Sequence, residues 1–230
     1  MIVSTMTHDE VYAELERDRE AVTRWWGHTL EAQKRRAIKC ERFPLNLTFD
    51  YTSPRRVRYI FHTRIFDKRM RYILTGVLAL RRESDGFTAY STWLGYQRFI
   101  APIVYLPHAF HRYAERVGVN KTGAELVRHF FITNPIGNHT RREDCFARSV
   151  RYNGEDHIAL CLTEGALLGN REGNYFIART FITYDMCSGQ QREEFESRRR
   201  SIVDDRELYD RATMAYEIME DYGISPFNLK

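Results

Sequence analysis

Four times between Leu45 and Leu94 the apolar residues return at every second position. Leu45, Leu47, Phe49 and Tyr51 form the first series, and Val57, Tyr59, Phe61 and Ile65 share one face of the second, over 56–66. Residues 71–81 read as a third. The turn signal Ser84-Asp85-Gly86 leads into a fourth, from Phe87 to Leu94. A period of two is that of a half-buried strand. Strands joined by links this short pair as an antiparallel meander, because parallel neighbours need a long crossover.

A helix is predicted ahead of the meander. Thr7 and Glu10 have the spacing of a capping box, and Val11, Leu15, Val22, Trp25, Trp26 and Leu30 recur at three and four over residues 8–35. Adjacent tryptophans cover a wide surface. They dock this helix on the sheet, or on a second copy of the chain or another protein partner.

The centre of the chain is the stretch from Ala101 to Phe131. After the apolar run Ile103–Leu106, Pro107 suits the first turn of a helix over 107–118. Ala109, Phe110, Tyr113, Ala114 and Val117 fall on one arc of that helix. His108, His111, Arg112, Glu115 and Arg116 fill the other. Thr122 and Glu125 repeat the capping-box spacing and open a second helix with Leu126, Val127, Phe130 and Phe131.

Residues 133–146 read as an exposed loop, and 147–152 with 157–163 as strands around a turn at Asn153-Gly154. Two glycine-bearing turns are expected in 167–176, before a strand from Tyr175 to Tyr184. A charged stretch over 191–200 precedes a helix at about 204–221, with Leu208, Ala212, Met214, Ala215, Ile218 and Met219 as its apolar residues. The fold class expected is α+β, a mostly antiparallel sheet with flanking helices. One integrated domain over 1–230 is expected, with 1–97 and 98–230 as its parts should it divide.

The net charge is only +4, but the basic residues are 30 Arg against 5 Lys. Arginine presents a planar fork of donors suited to phosphate, which keeps nucleic acid open as a partner, although base composition of the genome alone produces such a bias. Arg55, Arg56, Arg58, Arg64, Lys68, Arg69, Arg71, Arg81 and Arg82 decorate the meander. Interleaved with Tyr59, Phe61 and Tyr72, they have the composition of an RNA-binding face, or of the solvated side of a sheet. Cys40, Cys145, Cys161 and Cys187 form no CxxC pair, which favours a reduced, cytoplasmic protein over a disulfide framework. The first residues lack the pattern of a signal peptide, and no apolar run is long enough to span a bilayer.

The chain holds no GxGxxG, Walker loop, GxSxG or HExxH. His108 and His111 with His129 or His139 would suit a metal, but no carboxylate or cysteine completes a set, so no metal and no cofactor is expected. What remains is histidine and arginine chemistry. A histidine near its pKa moves protons, and arginines one turn away hold a phosphate and offset its developing charge.

The segment H-A-x-x-R-x-x-x-R-x-x-V (His108, Ala109, Arg112, Arg116, Val119), with the later strand A-R-T-F-I-T, resembles the barnase/EndoU/colicin/RelE-like group of toxin ribonucleases over residues 100–185. The resemblance implies a helix or two ahead of a small antiparallel sheet. It puts His108 in the acid/base place, Arg112 and Arg116 in the phosphate-binding places, and Thr180 with Thr183 or Tyr184 in the last-strand place. His111 and Arg179 join them as substrate-binding residues. The activity implied is a metal-independent endoribonuclease using the RNA 2′-OH as nucleophile. The competing expectation is a protein that binds nucleic acid, or a partner, without chemistry, as structural and accessory proteins of mobile elements do.

Overall fold

The computed structural model describes residues 1–92, 102–135, 146–148, 157–204, 207 and 210. Its elements are α1 (His8–Ala32), α2 (Lys34–Lys39), β1 (Leu45–Thr52), β2 (Arg58–Ile65), β3 (Ile73–Glu83), β4 (Gly86–Thr92), β5 (Ile103–Tyr105), α3 (Pro107–Val117), α4 (Gly123–Thr133), β6 (Phe146–Arg148), β7 (His157–Cys161), β8 (Ala166–Glu172), β9 (Tyr175–Ile182) and α5 (Gly189–Arg200). A short 3-10 helix, Tyr184–Met186, follows β9. The end of the fourth expected strand, most of the 133–146 loop, the Asn153-Gly154 turn and most of the 204–221 helix lie outside the described residues.

The strands form one nine-stranded sheet in the order β1-β2-β3-β4-β5-β9-β8-β7-β6. The α+β class and the meander β1–β4 stand as the alternation predicts. Every pairing is antiparallel except that of β5 with β9, where two antiparallel groups meet. Alternation along the strands gives each face its own core. Ile60, Leu78, Tyr105, Phe176, Ala178 and Phe181 pack against Ala109, Phe110 and Tyr113 of α3 and Leu126 and Phe130 of α4. Tyr59, Phe61, Ala79, Tyr90, Val104 and Ile177 point the other way, under Val11, Leu15, Val22 and Trp26 of α1.

The Thr7–Glu10 capping box forms, with each side chain bonded to the other residue's backbone N–H. The helix it opens stops at Ala32, short of the expected 35, and the chain turns into the separate α2. That break lets Ala37 reach a buried cluster with Leu47, Ile65 and Met70. Trp25 stacks on Tyr51 (centroids 4.4 Å apart) and Trp26 on Phe61 (5.5 Å), so the tryptophan pair docks α1 on the sheet of its own chain. Gly118 ends α3 in the left-handed conformation that glycine adopts without strain.

Two local expectations are corrected. Thr122 makes no side-chain capping bond, and the Glu125 side chain pairs with Arg128 one turn on instead of reaching back to the cap. Of the two glycines placed in turns, only Gly173 is in one. Gly169 lies inside β8 at a register shift against β9, where any Cβ would fall on the Ile177 carbonyl oxygen. The charged stretch near 191–200 is helical, and Phe195 is the one residue of α5 that it buries.

Candidate functional site

Helix α3 presents the polar face that its sequence predicts. His108 and His111 are exposed, and Arg112 is half-buried. Arg112 Nε donates to His108 Nε2 at 3.3 Å, and its Nη1 pairs with Glu115 at 2.7 Å. His111 lies against the β3–β4 hairpin, where a Cβ on Gly86 would stand 3.5 Å from its Nε2. Arg116 turns toward the sheet and donates to the backbone carbonyl of Phe181.

The last-strand residues are not brought to this helix. Thr180 pairs with Leu168, whose side chain joins Phe195 and Tyr184 in the core beneath α5. Leu167 and Phe181 point toward α3 instead, so Thr180 lies on the opposite face of the sheet from His108. Tyr184 is buried, donates to the Leu162 carbonyl at 2.5 Å, and has the Arg199 guanidinium 4.9 Å from its ring centre. Burial pushes its phenol well above the ordinary range. Thr183 is bonded to Asp185 and, through that bond, holds this carboxyl below its usual value. Arg179 is taken by Asn170 (2.6 Å) and Glu172 (2.7 Å). Of the expected catalytic set, the structure brings together His108 and Arg112.

Behind α3 is a polar knot that the sequence reading passed over. Tyr113 donates its hydroxyl proton to Glu164 Oε2 at 2.7 Å, with His129 Nδ1 at 3.1 Å and Thr133 Oγ1 at 2.9 Å. Asn134 donates to the same Glu164 oxygen at 3.0 Å and accepts from the Glu164 N–H at 3.1 Å. Thr133 spends its own proton on the carbonyls of His129 or Phe130. The Tyr113 oxygen therefore accepts from His129 Nδ1–H, which fixes the tautomer and leaves Nε2 as the basic nitrogen. Burial raises the Tyr113 phenol above its ordinary range. Chemically, the knot ties the β7–β8 turn to α3 and α4 while holding an oriented imidazole.

Which cations remain free for a ligand is decided by ion pairing. Arg55 is held by Glu14 (2.8 Å), Arg58 by Asp50 (3.3 Å), Arg81 by Glu83 (2.6 Å) and Arg128 by Asp50 and Glu125. Arg64 is buried with its guanidinium over Phe66. Tyr59 and Phe61 lie beneath α1, so the RNA-binding face expected from the meander is covered. At one end of the sheet the situation reverses. Arg35, Arg36 and Lys39 of α2, Arg42 after it, and Lys68 and Arg69 in the β2–β3 turn are all exposed. Their side chains make no ion pair or hydrogen bond among the described residues. Ala37 and Met70 share one apolar cluster, which brings α2 and that turn to the same end. Arg35, Arg36, Lys39, Cys40 and Leu45 line a shallow, wide-open groove there. Among the described residues, Arg56 and Arg82, at the opposite end of the strands, and Arg200 on α5 are likewise exposed without an ion pair or hydrogen bond.

No protein-family model, curated protein or solved structure matches the chain. Among the described residues, no three His, Cys, Asp or Glu side chains gather as a metal site, and no helix is long and apolar enough to cross a membrane. Cys40, Cys161 and Cys187 are free thiols.

Proposed function

We propose that the chain binds nucleic acid through its phosphate backbone at the α2 end of the sheet. The observation that carries this reading is the contrast in pairing. Among the described residues most other arginines are matched to carboxylates, whereas Arg35, Arg36 and Lys39 line a groove unpaired and Arg42, Lys68 and Arg69 stand unpaired at the same end. The acidic residues nearest in sequence are few: Glu31 is taken by Lys34, Asp67 faces Arg71, and Glu41 alone is exposed without a pair. Unpaired guanidinium and ammonium groups are hydrated in the free protein and release phosphate counterions on binding, which is the main source of affinity for nucleic acid. The ribonuclease reading keeps only His108 and Arg112 as neighbours, because Arg116, Arg179 and Tyr184 are engaged within the chain and Thr180 faces the other way.

The test is salt dependence. With these six cations on phosphates, log K for a single-stranded oligonucleotide should fall against log salt with a slope of about −4. Replacing Arg35, Arg36 and Lys39 by Ala should lower that slope by about 2, and the RNA should be recovered intact. A slope unchanged by the triple substitution overturns the reading. So does binding to anionic vesicles in place of oligonucleotides, an outcome that exposed Ile38 on α2 would assist.

A further inference from the structure

Beside the basic groove, at the same end of the sheet, is a short aromatic ladder. Tyr72 packs on Phe66 with ring centroids 5.0 Å apart, and the Arg64 guanidinium lies 5.7 Å from the centre of the Phe66 ring. Phe66 is buried and Tyr72 is half-buried. The Tyr72 hydroxyl makes no hydrogen bond among the described residues, and the ring, half-buried against Phe66, keeps part of its surface open to solvent. The Phe66 N–H bonds the Tyr72 carbonyl at 3.2 Å, closing the β2–β3 turn that carries Lys68 and Arg69.

The groove and the ladder are on opposite faces but close together. Leu45, Ile65 and Ile73 are successive cross-strand partners. Two strand spacings, about 10 Å, therefore separate Leu45 in the groove from the position beside Tyr72. Ile65 and Ile73 point toward Ala37 of α2, and Arg64 alternates to the far face with the ladder. A ligand passing from one to the other over the end of the sheet crosses the exposed Lys68 and Arg69.

From this arrangement we infer that the nucleic acid is single-stranded, its phosphates following Arg36, Lys39, Lys68 and Arg69 around the sheet end and one base stacking on Tyr72. The inference rests on the nucleic-acid reading above and narrows it. A duplex resists bending over about 150 bp and keeps its base faces stacked inside, so it neither turns through a 10 Å rim nor offers a ring to Tyr72. A single strand does both, and every base has a face to offer, so the site reads strandedness without reading sequence.

The experiment is fluorescence anisotropy with a labelled 15-nucleotide oligo-dT, a labelled oligo-U of that length and a 15-base-pair duplex at one fixed salt. The parent protein and Tyr72→Ala, Tyr72→Phe and Arg36→Ala/Lys39→Ala are compared, their folding checked by circular dichroism and melting. Both single strands should bind at least tenfold more tightly than the duplex. Tyr72→Ala should weaken single-strand binding by about 5- to 100-fold, the range for loss of one stacked base, and leave duplex binding unchanged. Tyr72→Phe should keep the parent's affinity. Equal binding of duplex and single strand, or a Tyr72→Ala effect within twofold, overturns the stacking inference while phosphate binding stands. Loss of binding in Arg36→Ala/Lys39→Ala places the phosphate contacts on α2, and parent-like binding by that variant overturns the path. No binding of any oligonucleotide by the parent removes the inference and the function together.

Discussion

Asp18 is the least comfortable residue in the core of this protein, and its single hydrogen bond gives a sharp test of how α1 is held. It lies on α1 with 1% of its surface exposed, facing the sheet. Tyr59 of β2, equally buried, donates to Oδ2 at 2.9 Å, and Oδ1 has no partner. Burial first, then the neighbouring Asp18 carboxylate, pushes the Tyr59 phenol far above its ordinary range, so the proton stays on the phenol at any working pH. A hydrogen bond to a charged group contributes about 1.5–3 kcal/mol, and stranding a buried partner costs its desolvation as well. Tyr59→Phe leaves the ring packed against Phe61 and removes only the hydroxyl, so it should cost about 2–3 kcal/mol. Asp18→Leu alone should cost about 1–3 kcal/mol by orphaning the Tyr59 hydroxyl. The double variant, with both polar groups gone from an apolar interface, should be no less stable than either single one. Urea unfolding followed by far-ultraviolet circular dichroism measures all three, provided that the slopes agree. In thermal melts, each kcal/mol should appear as about 2–4 °C at this chain length. A Tyr59→Phe variant within about 0.5 kcal/mol of the parent, or a double variant costing the sum of the singles, would refute the account.

Other consequences are as direct. Gly169→Ala should cost more than about 4 kcal/mol, or prevent folding, because the new methyl meets the Ile177 carbonyl across the bulge; Gly27→Ala on α1, with nothing within 4 Å, should stabilise by about 1 kcal/mol. Tyr113→Phe should lower stability by about 2 kcal/mol in the same urea assay, since Glu164, His129 and Thr133 all lose their shared hydroxyl. His8, bonded to the Tyr90 hydroxyl, has its pKa lowered first by burial and then by Arg81, against the opposing pull of Glu172, Asp9 and Glu83. Its neutral form is therefore favoured on folding, so its contribution is complete above about pH 6.5 and is lost as pH falls through the lower folded value. Between pH 7.5 and 5 the parent should lose stability relative to His8→Gln, and parallel curves for the two would contradict this.

What could be read from the sequence, and what could not, follows from how each feature is encoded. Strands β1 to β4, α1 and α3 each bury one face, and burial of one face writes a period into the chain: every second residue from Leu45 to Tyr51, the arc Ala109–Phe110–Tyr113 on α3. Helix α2 buries Ala37 alone and α5 buries Phe195 alone, so neither leaves a period to read. The pairing of β5 with β9 joins residues more than seventy positions apart and has no local signature at all. The same distinction governs the candidate site. That Tyr59 and Phe61 share a face was legible; that α1 covers this face was not. Likewise the sequence shows where every arginine is, but whether one is free depends on a carboxylate or carbonyl brought from elsewhere in the chain. Glu14 comes to Arg55 from forty-one residues away, and the Phe181 carbonyl to Arg116 from sixty-five. An arginine-rich chain of this kind advertises a dozen possible anion sites, and the fold removes most of them by neutralisation. The cations around α2 are among those that escape it. Their only apolar anchor, Ala37, is spent on the core, which leaves the rest of that short helix with nothing to face but solvent or a ligand's phosphates.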